Sequence, residues 1–341
     1  MSKAKTPTQT EIGFNDVLDR FVTERPNGLS ETSVETYRYG IKSLKTWMDS
    51  EGHSLQDLDS WTVGEYWTWL RDENDYSDST LESYTKAVRA FLEFGEKYDI
   101  VHENLHEHVE NFHAGKEARQ WDQEVDTERI DGILEVLDTY APRRNPLIFR
   151  LLAETGLRRS GLYALDLEDV QFKKGPVLNV RSRENTKLKG REDHERVINI
   201  SQDLYNDLQQ YVTGDGEHGR IDVEGEYGRK PLFTTENGRA SIGLIRDTVH
   251  YYSCPPITGV GNCDCEICRE GNPNKHDTKN CEMSFSPHTL KKYHVTKLRN
   301  NNIGFEAIGE RVATNPDTLR VHYDRSTKEQ RAEARRETLA D

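Results

Sequence analysis

The chain has 341 residues, a formal net charge of −14 and a hydrophobic content of 34%, with a mean hydropathy of −0.87. This is a charge-rich protein that can still bury a core, and its length is that of two domains rather than one. No apolar run is long enough to span a bilayer, and "MSKAKTPTQTEIGF" lacks the apolar stretch of a secretion signal, so a cytoplasmic protein is expected.

Residues 10–115 read as a compact helical unit. A first helix runs through "FNDVLDRFVTER" and ends before Pro26. Ser30 caps a second, "ETSVETYRYGIKSLKTWMDSEG", in which Val34, Tyr37, Ile41, Leu44 and Trp47 or Met48 keep a helical period. Thr62 with Glu65 and Ser79 with Glu82 read as capping boxes that open two more helices. The stretch "VHENLHEHVENFHAGKEARQWDQE" is polar and rich in histidine, and reads as a solvated linker rather than a metal site.

A second unit occupies residues 120–341. "DTERIDGILEVLD" and "NPLIFRLLAETG" are helices, the latter stopped at Gly156. "PVLNV" and "ERVINI" read as paired strands around a charged loop, followed by a capped helix in "SQDLYNDLQQYV", a strand in "PLFTT" and a helix in "IGLIRDTVHYY". A cysteine-rich insertion, a helix opening at "SPHTL" and a tail complete an α-rich unit with a small sheet. Repeats, a Walker loop and a dinucleotide fingerprint are all missing from the sequence.

The acidic total hides an uneven distribution. Arg143 to Arg196 contains 13 basic and 8 acidic residues, and Ser286 to Arg336 contains 11 and 6, so each stretch carries +5 and the remainder −24. Two basic stretches in an acidic shell fit an anion-binding protein from an organism with high internal salt; solvated helix faces are the plainer alternative. In chain order the basic features are Arg158 at a helix start, Lys187 and Lys189 on a hairpin loop, and His288 with Lys291 one turn apart near a helix N-terminus. Tyr323 follows in a short segment. Arginine, lysine, histidine and tyrosine without an acidic metal-binding pattern point to metal-free chemistry on a phosphodiester.

The elements "TGLRRSGLYAL", "TKLKGREDHERVINI", "SPHTL" and "VHYD", in that order, resemble those of the tyrosine recombinase, or phage integrase, family. The resemblance covers nearly the whole chain and has the flavour of a haloarchaeal or archaeal viral member. It implies a mainly α fold with a small β-sheet: a SAM-like helical core-binding domain followed by a catalytic domain. It also implies a site-specific recombinase of a virus or mobile element, its domains clamped on double-stranded DNA and its subunits assembled as a homotetramer. In that scheme Tyr323 attacks the scissile phosphate to give a 3′-phosphotyrosine and a free 5′-hydroxyl, so religation needs no ATP. Arg158 clamps non-bridging oxygens, Lys187 (or Lys189 on the same loop) protonates the leaving oxygen, and His288 contacts phosphate or moves a proton. Arg159, Lys189, Arg191, Lys292 and Lys297 are further DNA-contact candidates.

This sequence departs from the family pattern at three positions. Gly161 stands where an acidic residue is usual, Lys291 where an arginine is, and Thr314 where a histidine or tryptophan is. Lysine loses the bidentate geometry of arginine, and threonine cannot act as an imidazole. These departures define one alternative, a DNA-binding regulator that has lost turnover. A zinc-stabilised interaction protein with no DNA role is another.

All five cysteines lie in "CPPITGVGNCDCEICREGNPNKHDTKNC". With no cofactor expected for the chemistry, Cys254, Cys263, Cys265, Cys268, His276 and Cys281 are candidate ligands of a structural zinc ion, of which four would serve. Ser326 and Glu329 cap a predicted tail helix that would dock on a neighbouring subunit.

Overall fold

The computed structural model describes residues 12–24, 31–113, 115, 125–170, 175–214, 219–225, 227–269, 271 and 273–323. The predicted tail helix lies outside them. The chain divides into two compact units, Met1–Asp122 and Gln123–Asp341.

The first unit is built from α1 (Phe14–Glu24), α2 (Glu31–Glu51), α3 (Ser60–Asp72) and α4 (Asp78–Lys97). Val17, Leu18 and Phe21 of α1, Ile41, Leu44, Trp47 and Met48 of α2, and Val88, Phe91 and Leu92 of α4 recur at helical spacing and share one core. Two predicted starts move upstream. Asp59 caps α3, accepting from the Trp61 and Thr62 amides while the Thr62 hydroxyl accepts from the Asp59 amide. Ser77 caps α4 by accepting from the Thr80 amide at 3.4 Å.

The histidine-rich stretch is not a linker along its whole length. A 3₁₀ turn, Leu105–His108, places Leu105 and Val109 in the core. His106 Nδ1 bonds Glu96 at 2.8 Å, and Arg89 donates to the His106 carbonyl at 2.8 Å. The apolar pair at 105 and 109 was the readable signal; the surrounding polar residues masked it.

In the second unit, α5 (Thr127–Asp138) is capped by Asp126, and α6 (Arg144–Thr155) is buried on nearly every side. There follow α7 (Arg159–Ala164), a hairpin of β1 (Val177–Val180) and β2 (Arg196–Asn199), α8 (Gln202–Thr213), and the short strands β3 (Thr234–Thr235) and β4 (Gly238–Arg239). The hairpin is antiparallel, with Val177 opposite Asn199 and Val180 opposite Arg196. The predicted "PLFTT" strand shrinks to Thr234 and Thr235, which pair with β4. Leu232 and Phe233 are buried instead in the main core. Helices α9 (Ile242–Ser253) and α10 (Pro287–Asn300) then pack on α6.

Two helices absent from the sequence reading close the unit, α11 (Phe305–Val312) and α12 (Pro316–Tyr323). Phe305, Ile308 and Val312 of α11 meet Val295 of α10 and Leu319 of α12 in a small separate cluster. Among the described residues no helix is long and apolar enough to cross a membrane.

Candidate active site

The site begins where α6 ends. Gly156 closes that helix in the left-handed region, with φ +63°. A Cβ there would stand 2.9 Å from both His294 Cδ2 and Val312 Cγ1, so only glycine lets α6, α10 and α11 converge. Two residues later Arg158 takes the N-cap position of α7. Its Nη1 donates to the Ala313 carbonyl at 2.8 Å and its Nη2 to Thr314 Oγ1 at 3.3 Å. From α10, the buried Lys291 donates to the Val312 carbonyl at 2.8 Å and to Thr314 Oγ1 at 2.6 Å. From the start of β2, Arg196 donates through Nε to the Arg311 carbonyl at 2.6 Å and through Nη1 to the His194 carbonyl at 2.7 Å.

Three basic side chains from three elements therefore cap three successive carbonyls, those of Arg311, Val312 and Ala313. These are the carbonyls that a helix leaves unsatisfied at its C-terminus, where its dipole is negative. Ala313 supports the arrangement by adopting φ 46° and ψ 64°, a left-handed conformation that a non-glycine residue takes at a cost.

Among the described residues no carboxylate contributes to the electrostatics of Arg158, Arg196 or Lys291. Burial lowers Arg158. Burial, then the charges of Arg158 and Arg311, bring Arg196 down to about 10. Burial, then Arg158, Arg196 and Lys189, bring Lys291 down to about 6. At neutral pH Lys291 is thus largely an amine, and its two N–H bonds match its two acceptors. His194 is lowered by burial and by Arg158, Arg196 and Lys291, which places its ring at the same cluster. That ring lies over Gly190, where a Cβ would be 2.3 Å from it.

Behind this layer Arg311 donates to His294 Nε2 at 2.9 Å and to the Asn199 carbonyl at 2.9 Å, joining α11 to α10 and β2. Burial and Arg311 hold His294 down to about 3, so its ring is neutral and accepts the guanidinium proton.

The loop carrying the two lysines is fixed at its base by a different set of charges. Arg183 donates to both carboxylate oxygens of the fully buried Asp169, at 2.7 and 2.9 Å. Asp166, also buried, receives Arg229 at 2.7 Å and Arg239. Arg229 continues to Thr186 Oγ1 at 3.2 Å, one residue before Lys187.

Of the residues singled out by sequence, the structure brings together Arg158, Lys291 and Thr314. Lys189 is exposed but near enough for its charge to act on Lys291; Lys187 is exposed and exerts no such effect. His288 sits exposed in the first turn of α10, and Tyr323 is the last residue of α12, its side chain outside what is described. Arg159 and Arg191 are exposed and Lys292 is half-buried. Lys297 pairs with Asp131 of α5 at 3.0 Å, so its charge is already matched within the protein. Gly161 is buried, with Leu157 Cδ2 3.0 Å from where a Cβ would be, so leucine fills the ground beside it.

The sequence reading missed Arg196, His194, Arg311 and His294. Each earns its place through a partner distant in sequence, and no local spacing announces it.

The insertion after α9 brings Cys263, Cys265, Cys268 and Cys281 together, with all four sulfurs within 4.8 Å of one another. The buried Cys254 adjoins Cys281 and Cys268 but is not one of those four. His276 is 85% exposed and faces Asp247 Oδ2 at 3.9 Å, away from the thiols.

Residues 22–98 match the family model of the phage integrase N-terminal SAM-like domain. The chain is 22% identical over 298 residues to the tyrosine recombinase XerD of Pseudomonas aeruginosa, covering 86% of each chain. It is 25% identical over 225 residues to the tyrosine recombinase XerA of Thermococcus kodakarensis, covering 65% of this chain and 71% of that one. Among solved structures, it resembles the Tn1549 transposon integrase in complex with transposon right end DNA, with TM-score 0.62, 16% identity and coverage of 97% of this chain and 100% of that one. It also resembles the XerH site-specific recombinase bound to palindromic difH substrate, with TM-score 0.63, 14% identity and coverage of 95% and 84%. These structures share the fold described above.

Proposed function

We infer that this chain is a tyrosine recombinase of the phage integrase family, an enzyme that cleaves and rejoins DNA through a covalent 3′-phosphotyrosine. The observation that carries the reading is the convergence of Arg158, Arg196 and Lys291, with Lys189 at the rim, on one spot where no described carboxylate meets them. Clustered like charges repel, and an arriving phosphodiester removes that repulsion.

In the proposed reaction the Tyr323 oxygen attacks phosphorus and passes its proton to solvent, while the bond to the 5′-oxygen breaks and that oxygen gains a proton from the loop lysine. Arg158 and Arg196 keep N–H donors beyond those spent on carbonyls, and these bind the non-bridging oxygens as charge builds on them. Arg196 thus restores the second guanidinium that Lys291 withholds. Lys291 takes up a proton as the anion arrives and adds its charge. Lys189, the loop lysine whose charge reaches the cluster, protonates the leaving oxygen in preference to Lys187. His288 serves at the phosphate from the first turn of α10. Thr314 links Lys291 to Arg158 through one hydroxyl and positions both. Arg159, Arg191 and Lys292 contact the DNA backbone nearby.

The finer parts of the reading are a double-stranded attachment site as substrate, a homotetramer formed on DNA, an origin in a virus or mobile element of a salt-adapted organism, and a zinc ion on the clustered thiols. Covalent trapping at high potassium chloride tests the core of it, using nicked duplexes drawn from the host attachment region. Wild type forms a DNA-linked species resistant to denaturant and Tyr323→Phe forms none. A duplex that binds both proteins but is trapped by neither would overturn the enzymatic reading.

A further inference from the structure

We propose that Cys263, Cys265, Cys268 and Cys281 hold a single zinc ion as a tetrathiolate, and that this ion fixes the start of the helix bearing His288 and Lys291. The second half rests on the recombinase reading; the first half does not.

The geometry points to a tetrahedral metal. Zinc–sulfur bonds of about 2.3 Å imply sulfur–sulfur separations near 3.8 Å in a tetrahedron. Cys268 and Cys281 are 3.4 Å apart and Cys281 and Cys263 are 3.9 Å apart, with the rest of the four inside 4.8 Å. Backbone amides are already aimed at the sulfurs: those of Cys268 and Glu282 at Cys265, and that of Cys265 at Cys263. Such donors stabilise thiolates in metal sites. Binding is Zn²⁺ plus four thiols giving a dianionic centre and four protons released to solvent. Arg129 lies close enough for Cys254, Cys263 and Cys281 to act on its charge, and it offsets part of that dianion.

Apolar burial contributes little to holding the thiol-bearing loop of the insertion. From Gly259 to Gly271 no described residue is buried, and Val260, partly buried against the main core, lies at the edge of the loop that carries three of the four thiols. Short segments without a core need a cross-link or a metal. The fourth thiol is joined to the catalytic helix by a path with little slack. The Ser284 amide donates to the Cys281 carbonyl at 3.0 Å, Ser284 Oγ meets His250 Nδ1 at 3.1 Å, and the Phe285 amide donates to Ser253 Oγ at 3.0 Å. Arg129 of α5 clasps both ends of the insertion, donating to the Ser253 carbonyl and, at 2.9 Å, to that of Met283. Its guanidinium rests 5.5 Å from the Phe285 ring centroid. Ser286, Pro287 and His288 follow directly.

The test uses the full chain purified without added zinc. Metal analysis of wild type gives about one zinc per chain, as a closed structural site requires. Cys265→Ser and Cys268→Ser lose it, and Cys254→Ser keeps it. With trapping substrate, the two ligand variants and chelated wild type cleave about 10- to 100-fold more slowly, the range for removing a support behind a working group. They still bind DNA, and zinc restores the chelated wild type. If the serine variants fail to fold, cobalt loaded into wild type gives the intense thiolate-to-cobalt absorption of a tetrahedral S₄ site.

Wild type with no zinc, with iron in its place, or with oxidised thiols and no S₄ cobalt spectrum overturns the site. Zinc lost from Cys254→Ser, or retained in Cys268→Ser, overturns the ligand assignment. Zinc lost with cleavage unchanged overturns the positioning role. Full zinc in a wild type that never forms the covalent species instead overturns the recombinase reading, and with it that role, while the metal site stands.

Discussion

The second unit contains two arginine-rich regions that look alike in sequence and differ in what answers the charge. Around Asp166 and Asp169, the guanidinium groups of Arg183, Arg229 and Arg239 meet two carboxylates buried to 1% and 0% exposure. Around the end of α11, Arg158, Arg196 and Lys291 meet, among the described residues, backbone carbonyls and one hydroxyl. In the first region every one of these guanidinium groups pairs with a carboxylate, Arg183 with Glu168 as well, and the set braces the hairpin. The second holds net positive charge that no described carboxylate compensates, as a site does when its counter-ion is a ligand.

Removing one charge from each region separates the two in stability and in cleavage. Asp166→Ala leaves buried guanidinium groups unpaired and lowers stability by about 3–5 kcal/mol in denaturant titration, as breaking a buried pair does. Arg158→Met relieves repulsion, so its stability stays within about 1 kcal/mol of wild type, while single-turnover cleavage falls by about 10²–10³-fold. Arg196→Lys follows with a smaller loss of about tenfold, because charge survives and the fork does not. An Arg158 variant as unstable as Asp166→Ala would make the cluster structural and erase the distinction.

These two regions also mark what the sequence can and cannot disclose. Helices α1, α2, α5 and α6 were legible because apolar residues recur at helical spacing, and Gly156 was legible as a stop. The order of Arg158, the hairpin lysines, His288, Lys291 and Tyr323 was legible because each lies in a short contiguous motif. Which arginine is neutralised was not legible. Asp166 meets Arg229 from 63 residues away, and Arg196 meets the Arg311 carbonyl from 115 residues away. Composition counts both as basic. The caps Asp59 and Ser77 were misplaced because several neighbouring polar residues can serve as a helix cap, and the backbone turn decides among them. The thiols were visible as a group, but spacing alone did not separate Cys254 and His276 from the four that converge.

The cluster at the end of α11 also differs in its proton balance. Lys291 stands near 6 in the protein without DNA, against 10.5 for an ordinary lysine. Between those values the unfolded chain holds a proton on this residue that the folded chain does not, so stability rises with pH across that window. Phosphate reverses the balance by favouring the ammonium. Binding DNA at pH 7.5 therefore takes up close to one proton at Lys291, read by calorimetry in buffers of differing ionisation enthalpy. Lys291→Arg takes up markedly less, because arginine stays protonated throughout. Equal uptake by both proteins would place the titrating group elsewhere.

The smallest effect concerns the carbonyls that stand in for carboxylates. They are aimed by Ala313 at φ 46° and ψ 64°, a conformation glycine adopts without the steric cost that alanine bears. Ala313→Gly keeps the turn and removes that cost, so the folded state gains about 0.5–1 kcal/mol, visible as a raised denaturation midpoint. Gly156, at φ +63° on the opposite wall, responds in the other direction: Gly156→Ala forces a methyl to within 2.9 Å of His294 and Val312 and loses stability. The pair separates backbone strain from packing at one site. Stabilisation of Ala313→Gly with cleavage unchanged means that the turn itself, and not its side chain, directs the carbonyls to the cations. Destabilisation means that the Ala313 methyl contributes contacts whose loss outweighs the strain.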